Sequence, residues 1–295
     1  MAILEVFAAL AAASGVYGLA IEPRRLIVRF HRLSWPGERM LAAPIRIAVL
    51  ADVHAAWPHM TVSRLARIAR RILDLEPSLV LLPGDFSTTE TWGAVPIAPE
   101  IALATLEPLA RRIPSYAVLG NHDYDYDGAR VARALTAAGI RVLVNESLPI
   151  DLDGGRLWLV GLDDPVTFRH DLEAAFAGLP EDEPAILLSH SPDVHSFVPA
   201  NVRLVIAGHT HGGQVCLPGF GPVVTMSRLP RRQAHGLHEV GGRHLFVTSG
   251  VGTTGLPVRF LRPPEIGLIE LLPAAALAPV GFPSRLQHAP LQPAE

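Results

Sequence analysis

Five short clusters along the chain concentrate carboxylate, carboxamide and imidazole side chains: Asp52-Val53-His54, Gly84-Asp85, Gly120-Asn121-His122-Asp123, Ser189-His190 and Gly208-His209-Thr210-His211. Singly they are unremarkable. An Asp after a Gly opens turns and caps helices, and a lone histidine is more often a satisfied core or surface residue. Gly-Asn-His-Asp says more, because four turn-forming polar residues after an apolar run serve no packing purpose. In Gly-His-Thr-His, two imidazoles two residues apart between glycines can converge on one small volume. Together, Asp52, His54, Asp85, Asn121, His190, His209 and His211 offer seven oxygen and nitrogen donors. Burying so many without counter-charge is costly, and a pair of divalent cations supplies it. A donor set of Asp, Asn and His without thiolate suits Mn, Fe or Zn in a reactive centre rather than a structural zinc site.

Such donors need elements that deliver them to one place. Each cluster ends a short, largely apolar run: 45–51, 79–82, 116–119, 185–188 and 202–207, with Arg46 and Arg203 their only charges. Runs without alternation are the signature of strands covered on both faces. Helical periodicity fills several intervals. Residues 60–75 place Leu65, Ile68, Ala69, Ile72 and Leu73 on one face, and 98–112, 127–138 and 170–178 are further helix candidates. Strand and helix in alternation give an α/β fold with a largely parallel or mixed sheet. In open α/β sheets, ligands bind beyond the carboxyl ends of the strands, which is where all five clusters fall. From Gly212 the chain is rich in Gly and Pro. Short strand-like runs near 223–225, 244–247 and 266–271 point to a second sheet packed on the first.

The ends differ in character. Residues 2–21 form an apolar stretch broken only by Glu5, and Arg24, Arg25, Arg29 and Arg32 follow it. Its length matches the roughly 20 residues that span a bilayer, and basic residues after it place the following domain on the cytoplasmic side. The rival reading is an export signal cleaved near Gly18-Leu19-Ala20, although no Lys or Arg precedes the apolar run. Residues 1–22 are therefore read as an anchor or signal segment, 23–43 as a linker with a turn at Trp35-Pro36-Gly37, and 44–272 as the catalytic domain. Residues 273–295, rich in Pro and Ala, read as a disordered tail.

The order Asp-x-His, Gly-Asp, Gly-Asn-His-Asp, His, Gly-His-x-His across residues 45–211 resembles the calcineurin-like metallophosphoesterase superfamily. That resemblance implies a four-layer fold, two mixed sheets packed as a sandwich and flanked by helices. It also implies roles. Asp52, His54 and His211 would bind one metal and Asn121, His190 and His209 the other, with Asp85 bridging both. His122 and Asp123 would be the catalytic residues, His122 contacting the phosphate and protonating the leaving group, with Asn121 also facing substrate. One departure stands out: many members carry a second Asp, orienting the catalytic histidine, where this chain has Thr88. Downstream, Gly212-Gly213-Gln214, Thr248-Ser249-Gly250-Val251-Gly252, Pro257-Val258-Arg259 and Pro264-Glu265-Ile266 resemble a bacterial branch of membrane-associated phosphodiesterases. Some members of that branch cleave the pyrophosphate of UDP-2,3-diacylglucosamine, so a lipid-linked substrate is expected here. Arg259 is a candidate phosphate contact, since its fork matches phosphate geometry.

Composition narrows the alternatives. A net charge of −3 argues against a nucleic-acid partner held by bulk positive charge, and so against a nuclease, although a soluble nucleotide substrate stays open. The single cysteine, Cys216, excludes an internal disulfide and any multi-cysteine metal site, and reads as a small buried residue. His195, His235, His238 and His244 read as core or surface residues. A scaffold that kept this fold and lost catalysis would be expected to lack ligands or His122, and this chain keeps them all.

Overall fold

The computed structural model describes residues 1–36 and 41–274. Two six-stranded sheets lie face to face. The first runs β1 (Ile27–Trp35), β12 (Glu265–Pro273), β2 (Ile45–Val49), β3 (Leu79–Leu82), β4 (Ser115–Ala117), β5 (Arg141–Val142). The second runs β10 (Gly236–Val240), β11 (Arg243–Val247), β9 (Val202–Ala207), β8 (Ala185–Leu188), β7 (Gly155–Gly161), β6 (Glu146–Leu152). The central pairs β2–β3, β3–β4, β7–β8, β8–β9 and β9–β11 are parallel, while β12–β2, β6–β7 and β10–β11 are antiparallel.

Alternation along the buried strands divides their side chains between layers. Ile47, Val49, Leu79 and Leu81 meet Leu159, Ile186, Leu188, Leu204 and Ile206 between the sheets. Ala48, Leu50, Val80 and Leu82 point the other way, onto Leu65, Ile68, Ile72, Leu106 and Leu135 of the covering helices. Val160, Leu187, Val205 and Leu245 pack outward against Ala175, Val194 and Val198. Full burial of each Leu, Ile or Val contributes about 1.5–3 kcal/mol, so these central strands hold their register firmly, and with it the loops that leave them.

Helix Val62–Leu73 buries the predicted stripe, and Thr61 caps it by accepting from the Arg64 N–H at 3.3 Å. The helix expected over 98–112 is broken into Pro99–Leu103, a 3-10 turn and Glu107–Ala110, each α segment opening on or one residue before a proline. The one expected from 127 starts earlier, at Asn121, with extended backbone at Asp127 splitting Asn121–Ala137 in two.

Several expectations are corrected. The second sheet begins at Glu146, not after Gly212, and β12 returns to the first sheet. Residues 223–225 form no strand; the neighbouring ribbon pairs Cys216–Leu217 with Gly221–Pro222. The stretch read as a linker contains β1, which pairs parallel with β12 along its whole length and is tied by Arg29 to Glu265 and by Arg32 to Glu270, both at 2.8 Å. Its charges masked it: Arg29 and Arg32 sit on an edge strand, where each meets a carboxylate of β12. At the N-terminus, helix Ala2–Val16 continues through turns to Arg24. The tail from 275 lies outside the described residues.

Candidate metal centre

All five clusters meet where the carboxyl ends of the two sheets come together. Asp52 and His54 leave β2, Asp85 leaves β3, Asn121 opens the helix after β4, His190 follows β8, and His209 and His211 follow β9. The backbone turns sharply to present them. Asp52, His54, Asp85, His209 and His211 have φ of 51°, 46°, 57°, 68° and 49°, the left-handed region that costs a side-chain-bearing residue on the order of 1 kcal/mol or more. Strain repeated at five donors marks a surrounding structure that dictates their direction.

The donor atoms form two groups that share one carboxylate. In the first, His54 Nε2 lies 3.1 Å from His211 Nε2, which is 3.9 Å from Asp52 Oδ1. In the second, His190 Nε2 lies 3.2 Å from both Asn121 Oδ1 and His209 Nδ1. Asp85 Oδ2 stands between them, 3.6 Å from His54 Nε2 and 3.2 Å from His190 Nε2. Outer partners fix the rings. His190 Nδ1 meets the Pro83 carbonyl at 2.8 Å and His209 Nε2 the Met226 carbonyl at 3.0 Å, which leaves His190 Nε2 and His209 Nδ1 as lone pairs facing the centre. Asp85 Oδ1 accepts the His122 N–H, and Asp52 Oδ1 accepts the His209 N–H, each at 3.0 Å.

Electrostatics favour the same reading. Burial drives the imidazole pKa values down, to about 3 for His54, to about 4 for His209 beside His190, and well below the ordinary value for His211 next to His54. They are held neutral, the form that ligates. Burial also pushes Asp52 up to about 7. At His190 burial works against charge, but the adjacent Asp85 carboxylate overrides it and raises the pKa to about 10. Burial likewise works to raise Asp85, yet His190 outweighs it and holds the carboxyl well below the usual range. Asp52 Oδ2, His54 Nδ1 and His211 Nδ1 are buried without a hydrogen-bond partner among the described residues. His54 Nε2 and His211 Nε2, 3.1 Å apart, turn toward the Asp85 and Asp52 carboxylates, and such a gathering of buried oxygen and nitrogen donors fits divalent cations.

Two glycines are dictated by close approach. A Cβ on Gly120 would lie 2.3 Å from Asp85 Oδ1, and one on Gly250 2.5 Å from Asp52 Cβ. The Thr248–Gly252 loop runs against the Asp52 backbone, with Val251 N donating to Ala51 O at 3.1 Å and Gly252 N to Asp52 O at 2.7 Å. Glu265 braces that loop by accepting from Ser249 N at 3.1 Å and Thr248 Oγ1 at 3.3 Å, while its other oxygen takes His235 Nε2 and Arg29 Nε.

Two site assignments are corrected here. Arg259 is wholly buried. Its guanidinium donates to the carbonyls of Gly252 (3.0 and 2.6 Å), Ser249 (2.7 Å), Gly250 (3.3 Å) and Arg262 (3.1 Å). Its fork is spent on backbone and cannot reach a phosphate; it clamps the loop behind Asp52. Asp123 is also wholly buried, its oxygens accepting N–H groups from Asp85, Gly120, Phe86 and Ser87 at 2.8–3.0 Å. It shapes the Asp85 turn and does not touch the reacting centre.

His122 lies at the rim, its ring edge-on to His54 with centroids 5.0 Å apart. Thr88 does not orient it, being bonded to Thr91 instead. The partner is Thr254, whose Oγ1 is 3.3 Å from His122 Nε2, while the carboxylates of Glu90 and Asp125 stand 4.0 Å from Nδ1. No sequence signal marked Thr254, which lies 132 residues away in an irregular loop. Asn121 and His209 are half-buried and mark the open side. His195, His235, His238 and His244 stay outside the cluster; His235 bonds Glu265 and Arg262, and Cys216 is buried.

Comparison with known proteins agrees with this geometry. Residues 45–213 match the calcineurin-like phosphoesterase family model. The metallophosphoesterase YkuE of Bacillus subtilis is 30% identical over 278 residues, covering 90% of this chain and 94% of its own. Phosphodiesterase YaeI of Escherichia coli is 30% identical over 280 residues, covering 91% and 97%. A zebrafish transmembrane protein with a metallophosphoesterase domain is 29% identical over 249 residues, 77% of this chain and 53% of its own.

Proposed function

Since this chain belongs to the calcineurin-like phosphoesterase family and is a metal-dependent phosphoesterase, we propose that it is a two-metal phosphodiesterase or pyrophosphatase acting on a lipid-linked substrate. One cation would be held by Asp52, His54 and His211 and the other by Asn121, His190 and His209. The observation that carries this is Asp85 Oδ2, within 3.6 Å of one donor group and 3.2 Å of the other, where a bridging ligand belongs. When bound, such a pair of cations supplies Lewis acidity toward the phosphate oxygens and lowers the pKa of an attacking water. The chain's own residues do the rest. Neutral His54, His209 and His211 ligate without releasing protons, and the buried walls strengthen every charge interaction in the pocket. His122, steadied by Thr254, reaches the open side and hands a proton to the leaving oxygen. Such general-acid help typically contributes 10²–10⁴-fold.

The substrate class rests on two features. A cleft of about 650 Å³ opens beside His209, with Phe168, Phe197, Met226 and Leu229 in its walls and Arg228 among its polar groups. It suits an ester with one apolar arm. Residues Leu4–Arg24 are long and apolar enough to cross a bilayer. We read the part that stands clear of the domain, Ala2–Val16, as an anchor that enters the bilayer, with Arg24 and Arg25 at its cytoplasmic end. The test is hydrolysis of UDP-2,3-diacylglucosamine by detergent-purified protein in Mn²⁺, with bis-p-nitrophenyl phosphate alongside. Release of UMP with the acylated sugar phosphate is expected. Cleavage of the artificial diester alone would refute the lipid-linked substrate and favour a soluble one, whereas no cleavage of either with Mn²⁺, Fe²⁺ or Zn²⁺ would refute the phosphodiesterase reading.

A further inference from the structure

The apolar helix does not hang on a flexible tether. Its foot is built into the domain. The Gly18 carbonyl accepts the Arg259 N–H at 2.9 Å, and a Cβ on Gly18 would lie 3.1 Å from the Val258 side chain, so the helix backbone lies directly on this loop. Tyr17 packs edge-on against Phe260. Glu22, buried to 1% exposure, accepts the backbone N–H groups of Leu261 (2.8 Å) and Arg262. Arg64 donates to the Pro23 carbonyl with one nitrogen and to the His59 carbonyl at 2.8 Å with another. Above this foot the described side chains of the helix are exposed. A helix seated this way fixes the orientation of the whole domain relative to whatever the helix enters.

The surface around the foot is unusual for one that faces water. Leu19, Pro23 and Arg24 share a small cavity with His59, Arg64, Thr253 and Pro257. Beside His59 stands Trp57, 62% exposed, paired across a short ribbon with Val95, 63% exposed. The 253–257 loop is tied to the 91–95 loop by Thr91 Oγ1 to Thr253 O at 3.0 Å and Trp92 N to Gly255 O at 2.7 Å. These loops carry Trp92, 73% exposed, and Leu256, 63% exposed. Exposed Arg24 and Arg67 line the groove beside Pro58 and His59, next to Trp57. Amphipathic tryptophans among arginines are the composition of a headgroup-level surface. The same 253–257 loop holds Thr254, the partner of His122.

We propose that Trp57, Trp92, Val95 and Leu256 form a second membrane contact, a collar that rests in the lipid interface beside the anchoring helix and sets the rim of the metal centre at headgroup level. The occupant is a lipid surface, favoured by continuity with the apolar helix and by the arginines that match anionic headgroups. This rests on reading the helix as an anchor.

The experiment uses the full chain in vesicles of phosphatidylcholine and phosphatidylglycerol, with flotation scored first and tryptophan emission read against lipids brominated high on the acyl chain. The chain has four tryptophans, and Trp35 is buried. Bromolipid should remove about half of the emission, since two of the four are in the collar. The Trp57→Phe/Trp92→Phe variant should still float and lose that quenching. Flotation without bromolipid quenching, with Trp57 and Trp92 open to aqueous iodide, would overturn the collar and leave the anchor standing. Failure to float would overturn the anchor and the collar with it.

Discussion

Replacing Asp123 with Asn changes one oxygen for an amide nitrogen and almost no volume, so its effect can be worked from contacts. Oδ2 accepts the N–H groups of Asp85 and Gly120, and Oδ1 those of Phe86 and Ser87. Whichever way the carboxamide turns, two of the four buried donors lose their acceptor and meet an NH₂ group. An unpaired buried donor costs about 1–3 kcal/mol, so Asp123→Asn should destabilise the fold by about 2–6 kcal/mol. The strained turn at Asp85 loosens too, and bound metal should be lost at chelator concentrations the wild type withstands. The assay is urea denaturation of the detergent-solubilised chain, with metal content measured across an EDTA series. The midpoint should fall while the slope stays the same. Unchanged stability and metal retention with lost turnover would refute this reasoning, because they would make Asp123 a participant in the reaction rather than the brace of the Asp85 turn.

Other outcomes follow from the same contacts. Thr254→Val removes the group facing His122 Nε2 and leaves the donor cluster untouched. It should lower kcat about 10-fold, short of the full general-acid contribution, with two metals retained, and Thr254→Ser should restore it; loss of metal in Thr254→Val would show a structural role instead. Glu265 is buried, which works to raise its pKa, but His235 and Arg29 bring it down to about 2. A carboxyl with a folded pKa below its unfolded value stabilises the fold above pH 4.5, and that contribution is lost as the pH falls from there toward 2. Denaturation midpoints measured across that window should drop in the wild type and stay flatter in Glu265→Gln; parallel curves would contradict it.

The central strands and their polar ends were legible because both faces of those strands are buried almost throughout, so the apolar runs are broken only by Arg46 and Arg203 and their ends are abrupt. Convergence of Asp52, His54, Asp85, Asn121, His190, His209 and His211 followed from the placement of parallel strands. What could not be read depends on partners distant in sequence. β1 is hidden because Arg29 and Arg32 find Glu265 and Glu270 more than 230 residues later. Arg259 looked like a phosphate contact because nothing local shows that four carbonyls would surround its guanidinium. Thr254 belongs to no periodic element, and its role exists only once its loop folds over His122. The hairpin of β6 and β7 turns at Asp153-Gly154, but β6 is mostly half-buried and carries Pro149, so its apolar alternation is weak.

A pair of cations with Asp85 between them should show in the metal stoichiometry of the wild type and Asp85→Asn. Purified with Mn²⁺ and desalted, the wild type should hold two ions per chain and cleave bis-p-nitrophenyl phosphate. Asp85→Asn should lose bound metal and turnover together. One ion per wild-type chain, or an Asp85→Asn protein that keeps two ions and full activity, would rule out a dinuclear centre bridged by Asp85.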